Sequence, residues 1–241
     1  MKKILLAASL MLTVIFACFA ANPESDFEVD LTPDETGVMV ISYLGTSSVI
    51  DIPEEIEGFP VVQIGRAEDW GGGTRFVGYT EKSFTITVPK TVKIIEKSAF
   101  AGCKGTINVD FSNLTYIGDT AFNNSDLSGK VVITKDCELG HSVFASSKIE
   151  EIVFEEGITQ IGIMEGDVLC ASCINLKSVT FPSTLTRVTG LLFSNDKALK
   201  EVNIPDGTEI YWEDSRTFEL CSAIPLKVKS KIKASGYTGN F

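Results

Sequence analysis

The chain has 241 residues, which is enough for one or two domains with a sizeable core, and hydrophobic residues make up 44% of it. Its 15 Phe residues, against 5 Tyr and 2 Trp, exclude the composition of a disordered protein. The formal net charge of -11 argues against partners such as nucleic acid or an anionic lipid surface.

The N-terminus has the pattern of a bacterial secretory signal. Two lysines follow the first Met, an apolar run extends from Ile4 to Phe16, and small residues come after it. That run is too short to span a bilayer comfortably, and no later segment is long and apolar enough to do so. The pattern predicts export to the cell envelope or cell surface, with a secreted or periplasmic protein as the alternative.

Two cleavage sites compete at the end of this signal. Residues 15–18, "IFAC", resemble a lipobox, which would remove residues 1–17 and leave Cys18 as a lipidated first residue. A lipidated Cys18 would be the membrane anchor of the protein, since several acyl chains give durable anchoring. Alternatively, an ordinary signal peptidase removes residues 1–20.

The segments that follow divide into a cap, a body and a second cap. Residues 27–52 alternate in the manner of strands with a turn near Gly45, and they predict a β-hairpin cap. We assign residues 26–65 to this N-terminal cap, residues 66–225 to the repeats and residues 226–241 to the C-terminal cap. The Lys-rich stretch "PLKVKSKIKASGY" near the end is compatible with a strand or a helix.

The run "WGGGTRFVGY" at residues 70–79 is the most unusual loop of the chain. It lacks the Gly-Lys-Ser/Thr end of a phosphate-binding loop. In one interpretation it is an insertion, and Trp70 or Phe76 fills an internal position of the first repeat. In the other it is a binding loop, and Trp70, Arg75, Phe76 and Tyr79 contact a partner.

A repeat of 22–25 residues runs through the body of the chain. Its marker is one large apolar residue per repeat, which gives the series Phe100, Phe122, Phe144, Leu169, Phe193 and Phe218. An aliphatic residue stands five positions before most of them, and a β-rich run such as "TITVP", "EEIVFEE" or "LKSVTFP" comes earlier still. A single unit of this size cannot form a core, so the units must stack. We predict a mainly β solenoid of about six repeats, with parallel strands and one internal column of these residues.

The sequence "CASC" at residues 170–173 has the spacing of a redox or metal motif. However, Cys173 falls about three residues after the marker of its repeat, where other repeats carry Cys103, Ser125, Ser147, Asp196 and Cys221. A small polar side chain at this position can bond to backbone groups in a tight buried turn. We therefore interpret Cys173 as a repeat position, and a disulfide, a redox pair or a metal site is the alternative.

Other candidate catalytic groups lack a supporting pattern. His141 is the one histidine of the chain and lies in a predicted solvent-exposed turn, without a nucleophile motif elsewhere. The acidic pairs at residues 54–55, 150–151 and 155–156 fit solvated strand ends better than a glycosidase site. The sequence predicts no catalytic residue, no metal ligand and no cofactor.

Several segments resemble the BspA-type leucine-rich repeats of bacterial surface proteins. The resemblance is carried by "VPKTVKIIEKSAFAGC" (residues 88–103) and "CINLKSVTFPSTLTRVTGLLF" (173–193). Residues 37–65, "GVMVISYLGTSSVIDIPEEIEGFPVVQIG", and the end "KASGYTGNF" resemble the first and last segments of that family. The sequence departs from the pattern at Leu169, where Phe is replaced, and at residues 70–73, where an insertion blurs one repeat. The resemblance implies a leucine-rich-repeat solenoid that adheres to host or neighbouring-cell proteins.

The predicted function is binding of a protein partner without catalysis. A solenoid presents a ladder of strands whose outward residues vary over a fixed internal column. The predicted outward residues are Thr87, Asn108, Glu151, Ser178, Thr180, Glu201 and Asn203. Two alternatives remain open: an exported thiol or hydrolytic protein that uses Cys170 and Cys173, and an envelope structural protein without a specific ligand.

Overall fold

The computed structural model describes residues 21–66, 73–78, 80–162, 168–211 and 216–241. Short 3-10 turns lie at Glu24–Asp26 and Phe111–Asn113. The strands and the helix are β1 Phe27–Leu31, β2 Val38–Tyr43, β3 Val49–Asp51, β4 Glu55–Ile56, β5 Phe59–Ile64, β6 Ser83–Thr87, β7 Ile94–Ile95, β8 Lys104–Asn108, β9 Tyr116–Ile117, β10 Ser128–Ile133, β11 Glu138–Leu139, β12 Lys148–Phe154, β13 Gln160–Ile161, β14 Ser178–Thr180, β15 Arg187–Thr189, β16 Glu201–Asn203, β17 Glu209–Tyr211 and α1 Leu226–Ala234.

The described part of the chain begins with an antiparallel hairpin. Strands β1 and β2 pair with Phe27 opposite Tyr43 and Leu31 opposite Val38, which confirms the predicted hairpin cap. The predicted position of its turn, near Gly45, was wrong. The chain reverses between Thr32 and Gly37, where Thr32 Oγ1 donates to Asp34 Oδ1 at 2.6 Å and Thr32 N donates to the Gly37 carbonyl at 2.9 Å.

Parallel ladders follow, so the predicted solenoid is confirmed. One ladder runs β2-β5-β7-β9-β11 and resumes as β13-β15-β17. The other runs β3-β6-β8 and resumes as β10-β12-β14-β16. Each coil contributes one strand to each ladder, and stacked coils extend the hydrogen bonding from one coil to the next.

The first of these ladders was not predicted from the sequence. Its strands β7, β9, β11 and β13 have two residues each, which is too short to produce an alternating pattern. Their second residues form an internal row, in which Ile95 and Ile117 are fully buried. The aliphatic residue found five positions before most of the markers is therefore the inward side chain of this ladder.

Aromatic rings form the centre of the stack. The centroid distances are 5.4 Å for Phe100–Phe122, 5.8 Å for Phe122–Phe144 and 5.8 Å for Phe193–Phe218. Leu169 is also buried, in the coil between Phe144 and Phe193. Offset rings at these separations add about 0.5–1.5 kcal/mol per pair to the stabilisation from apolar burial.

Both ends of the column are covered by further aromatic residues. Phe76 lies 5.6 Å from Phe100, and Phe27 and Tyr43 of the hairpin pack on Phe76. At the other end, Tyr237 and Phe241 pack on Phe218. These rings shield the terminal coils from water at both ends.

The Lys-rich tail, left open between strand and helix, forms helix α1. Its Ile232 is fully buried against the last coil, and Lys231 and Lys233 lie in its last turn, where they complement the helix dipole. Beyond the helix, Ser235 accepts a hydrogen bond of 2.9 Å from Ile210 N of β17. The tail thus covers the edge of the last ladder strand. Within the described residues, no helix has the length and apolar character needed to cross a membrane.

Candidate partner-binding face

The outward side chains of β10, β12, β14 and β16 form two registered rows, which we call the ladder face. The strand pairing aligns Lys130, Glu151, Ser178 and Glu201 in one row. It aligns Val132, Val153, Thr180 and Asn203 in the other. All eight side chains are exposed or half-buried, so the ladder face presents mixed charged, polar and aliphatic groups to a partner.

The inward side chains of the same strands hold this face in place. Val131, Ile152, Val179 and Val202 alternate with the outward residues and are at most 7% exposed. Because side chains alternate across a strand, burial of this row fixes the register of the outward rows. The scaffold can therefore keep its shape while the outward residues vary.

Three ion pairs join neighbouring coils close to the ladder face. Lys130 lies 3.0 Å from Glu151, Lys148 lies 2.8 Å from Asp126, and Lys177 lies 2.6 Å from Glu150. Exposed pairs of this kind contribute about 0–1 kcal/mol each. Their charges remain accessible at the surface, and the pairs add little to the stability of the fold.

A second outward surface lies on β6 and β8, closer to the N-terminus. Pairing aligns Thr85 with Thr106 and Thr87 with Asn108, and all four are exposed. These four side chains are polar and uncharged, and the pair Ser83 and Lys104 adds one positive charge at the end of the surface. Every outward residue predicted from the alternating pattern thus lies on one of these two surfaces.

The buried turns explain the C-x-x-C sequence. Cys170 and Cys173 are both fully buried free thiols, and Cys173 Sγ donates to the Phe144 carbonyl of the preceding coil at 3.0 Å. Cys221 makes the same contact with the Phe193 carbonyl at 3.0 Å. Ser125 Oγ bonds to the Phe122 carbonyl within its own turn at 2.8 Å. The position therefore serves to satisfy buried backbone groups.

Electrostatics make most of these thiols poor nucleophiles. Burial raises the pKa of Cys170 well above its ordinary value, with the neighbouring Cys173 as a further cause. Burial also raises the pKa of Cys103 to about 11 and the pKa of Cys221 to about 12. A thiol held protonated and away from water does not react as a thiolate.

Asp196 occupies the same position as a buried carboxyl group. It is fully buried, and its Oδ1 accepts a hydrogen bond of 2.7 Å from Cys173 N. Its Oδ2 has no hydrogen-bond partner within the described part of the chain. Burial is the main cause that raises the pKa of Asp196 to about 10. The group is therefore a neutral carboxylic acid at physiological pH.

His141 and the possible metal ligands are the other candidates that the sequence raised. His141 is exposed, and its Nδ1 lies 2.8 Å from Ser142 Oγ. Among the described residues, no group of three or more His, Cys, Asp or Glu side chains is placed to hold a metal ion.

The loop predicted as a partner contact divides between interior and surface. Phe76 is fully buried in the aromatic column, so it fills the internal position and its proposed contact with a partner was wrong. Arg75 is half-buried and donates from Nη1 to the Ala101 carbonyl. Trp70 and Tyr79 of this loop, as well as Cys18, lie outside the described residues.

Sequence reasoning missed a regular feature of the turns that carry the markers. Residues two positions before the marker have positive φ angles, at Ser98, Thr120 and Ser142. Residues two positions after it do as well, at Gly102, Asn124, Ser146, Asn195 and Leu220. Enrichment of Ser, Asn and Gly around each Phe was the available signal, because these residues tolerate the left-handed region better than others.

Several solved structures of leucine-rich-repeat proteins match this chain. A leucine-rich-repeat protein from T. pallidum matches with a TM-score of 0.69 and 22% identity, over 92% of this chain and 99% of that chain. A leucine-rich-repeat protein from Bacteroides ovatus matches with a TM-score of 0.36 and 17% identity, over 83% of this chain and 80% of that chain. A leucine rich cell surface protein from Faecalibacterium prausnitzii matches with a TM-score of 0.26 and 13% identity, over 92% of this chain and 99% of that chain.

No curated protein matches the chain. The family pattern of BspA type leucine rich repeat regions matches residues 76–164 and 166–237, with six copies. These ranges cover more than half of the sequence and coincide with the stacked coils. The chain therefore belongs to the BspA type leucine rich repeat family.

Proposed function

We propose that the protein binds a protein partner through the ladder face and performs no catalysis. The observation that carries this proposal is the registered pair of outward rows on β10, β12, β14 and β16, held by the buried inward row of the same strands. Such a surface is rigid before binding, so little conformational entropy is lost on association. Its mixture of charged, hydroxyl and aliphatic groups is complementary to a protein surface.

We further propose that the protein works at the cell envelope or on the cell surface, where adhesion to a host or neighbouring cell is its role. Support comes from the N-terminal signal pattern, with Cys18 as the proposed lipid attachment site. Protease shaving of intact cells tests the location. Release of peptides from the repeats without cell lysis is expected, and complete protection would place the protein in the periplasm and contradict surface adhesion.

We also propose three functional segments within the exported chain. Residues 26–65 and 226–241 act as caps, and residues 66–225 carry the binding coils. The aromatic contacts at both ends of the column support this division. Trp70, Arg75 and Tyr79 are proposed as secondary partner contacts.

A pair of matched double variants tests the ladder face. Ser178→Arg with Glu201→Lys changes adjacent outward residues of β14 and β16. Thr186→Arg with Glu209→Lys makes the same charge change at the other ladder, where Thr186 directly precedes β15, Glu209 lies in β17, and both residues are exposed. Each purified variant is immobilised, and proteins captured from the surfaces of host or neighbouring cells are quantified by mass spectrometry.

We expect the ladder-face variant to lose a defined set of captured proteins at least tenfold, while the control variant retains them. Both variants should unfold at the wild-type urea concentration, because Thr186, Glu201 and Glu209 are exposed and Ser178 is a half-buried outward residue. Equal capture by all three proteins would contradict binding through this face.

A further inference from the structure

One of the two ladders is interrupted at the middle of the solenoid. Strand β11 is the last strand of its sheet and β13 is the first strand of the next. Within the described residues, no strand pairs with the outer edge of β11 or with the facing edge of β13. The same two coils remain joined elsewhere, since β10 pairs with β12 and Phe144 N donates to the Leu169 carbonyl at 2.9 Å. The coils are therefore separated along one side only.

A cavity of about 570 Å³ occupies this opening. Its floor consists of apolar side chains of the core, among them Phe154, Ile161, Leu169 and Leu192. Its rim carries polar groups from the two separated coils, including Lys135, Glu138, His141 and Gln160. Pockets that bind small ligands or anchoring side chains have volumes of about 300–1,000 Å³.

The sequence explains why the coils do not close here. In other coils, the inward residue of the ladder strand is preceded by a second buried aliphatic residue three positions earlier. These earlier residues are at most 3% exposed: Val92 before Ile95, Leu114 before Ile117 and Leu185 before Val188. Three residues before Leu139 stands the exposed Asp136, with the half-buried Cys137 beside it. Leu139 itself is half-buried, whereas Ile95 and Ile117 are fully buried. One aliphatic side chain is thus missing from the packing of this coil.

The other ladder is also interrupted, between β8 and β10, but there the gap is filled. Phe111 lies in the 3-10 turn after β8, is 7% exposed, and packs at 5.8 Å on Phe122 and at 6.0 Å on Phe144. No comparable described side chain fills the opening between β11 and β13. An interruption of the ladder therefore does not by itself produce a cavity.

We propose that this cavity receives an extended segment of a partner protein, which inserts a large aliphatic or aromatic side chain. The inference rests on the proposed function, since it assumes a protein partner. Two strand edges without a pairing strand offer backbone donors and acceptors, and a polypeptide in extended conformation satisfies both kinds. The apolar floor removes the inserted side chain from water, as at the buried centre of an interface.

The charges at the rim disfavour an anionic small molecule as the occupant. Lys135 Nζ lies 2.7 Å from the Asp136 carboxylate, so its charge is already paired. Asp119 and Glu138 add negative charge to the lining. An uncharged peptide backbone with apolar side chains fits these surroundings better than a carboxylate or phosphate group.

Short blocked peptides test the proposal directly. The probe is acetyl-Thr-Leu-Thr-Leu-Thr-amide, which alternates apolar and polar residues like a strand. One control peptide replaces both leucines with Ser, and a second carries N-methylated backbone amides, which cannot donate hydrogen bonds. Binding is followed through the backbone amide NMR signals of the full exported chain, and the dissociation constant is taken from a titration.

Protein variants provide the matched controls. Leu139→Trp and Ile158→Trp place an indole in the cavity from two half-buried lining positions. Leu44→Trp adds the same group at a position that is 64% exposed and distant from the cavity lining. The use of two filling variants keeps the test valid if one of them folds poorly.

We expect the leucine peptide to shift signals of residues 137–140 and 158–162, and both control peptides to leave them unchanged. The dissociation constant should rise at least tenfold in the filled variants and stay unchanged in Leu44→Trp. Equal binding of the N-methylated peptide would overturn strand pairing, and no shift at millimolar peptide would overturn the site. Neither result would contradict partner binding through the ladder face, because that binding is tested separately with the Ser178→Arg/Glu201→Lys variant.

Discussion

A single buried position in each coil is occupied by Cys, Ser or Asp. Side chains at this position form hydrogen bonds with buried backbone groups, but a thiol or hydroxyl donates whereas a carboxyl group accepts. The thiols of Cys173 and Cys221 and the hydroxyl of Ser125 donate to backbone carbonyls. Asp196 instead accepts from the Cys173 amide and keeps a second oxygen without a partner in the described structure. A carboxyl group at this position has a cost that depends on pH, because burial favours its protonated form.

The stability of the protein should therefore fall as pH rises above the ordinary pKa of an Asp. The folded chain keeps the Asp196 proton up to a pKa of about 10, whereas the unfolded chain releases it near pH 4. Between these values, ionisation favours the unfolded state by up to about 1.4 kcal/mol per pH unit. Asp196→Asn removes this dependence, so its advantage over the wild type should grow from pH 5 to pH 8.

Urea denaturation at pH 5, 6.5 and 8 measures this difference. Asp206→Asn is the control, because the Asp206 side chain is 94% exposed, and it should follow the wild type at every pH. Parallel pH dependences for the wild type and Asp196→Asn would show that the buried carboxyl group is not the cause.

The described cysteines should differ in their reactivity, because they differ in burial. Cys137 is half-buried and lines the cavity, while Cys103, Cys170, Cys173 and Cys221 are buried. Burial, and then the charge of Glu138, raises the pKa of Cys137 to about 11. Its alkylation by iodoacetamide in the folded protein should be slow and should accelerate about tenfold per pH unit from 7 to 9.

Peptide mapping after alkylation identifies the modified cysteines. The four buried thiols should react only when the protein is unfolded in urea, which serves as the positive control. Modification of Cys170 or Cys173 in the folded state would instead favour the thiol-protein alternative.

At the scale of elements, short strands alternate with tight turns that require unusual backbone angles. The turn after the last Phe of the column places Leu220 at a φ of 62°, a region that costs about 1–2 kcal/mol for most residues and less for Asn or Gly. The corresponding residues of other coils are Gly102, Asn124, Ser146 and Asn195. Leu220 is also 54% exposed, so little burial compensates for the strain.

Leu220→Asn should accordingly stabilise the protein by about 1 kcal/mol. The free energy of unfolding, measured by urea denaturation, gives the result. Leu44→Asn is the matched control, because Leu44 is 64% exposed and its φ is negative. It should bring no gain, and equal stabilisation by both substitutions would contradict backbone strain as the reason.

The elements show where the sequence was informative and where it was not. The Phe series and the β-rich runs were predictable, because one buried residue per coil repeats at a nearly constant spacing. The two-residue strands were not, since they are formed by pairing between coils rather than by a local pattern. The predicted position of the hairpin turn was wrong because Gly45 and Gly37 are both typical turn residues. The hydrogen bond between the side chains of Thr32 and Asp34 stabilises the turn that forms.

The candidate sites follow the same division. The ladder face was predictable from alternation, because burial of every second residue leaves the others outside. The burial of Phe76 required knowledge of how the coil stacks on Phe100, and the sequence left it open. The cavity between β11 and β13 could not be predicted, because it depends on the failure of two coils to close along one side.

At the scale of the whole molecule, the solenoid is a stack in which each coil contacts its neighbours. Stability in such a stack is a sum of coils and interfaces, so a defect in the middle weakens two interfaces. Phe122 is fully buried and packs on Phe100 and Phe144 on its two sides. Phe122→Ala should destabilise the protein by about 3–5 kcal/mol.

Chemical denaturation measures this loss, with Phe59→Ala as the control. Phe59 is 37% exposed and lies outside the aromatic column, so its truncation should cost much less. A loss below about 1 kcal/mol for Phe122→Ala would contradict the role of the column as the centre of the fold.

The most direct test of the proposed function is site-specific photo-crosslinking from the ladder face on living cells. Benzoylphenylalanine is introduced separately at Thr180 and Asn203 on the face, and at two positions of the other ladder, Thr186 directly before β15 and Glu209 in β17. We expect a discrete adduct with a protein partner from the first two positions and none from the second two. Adducts of equal yield from all four positions, or from the second pair alone, would contradict partner binding through the ladder face.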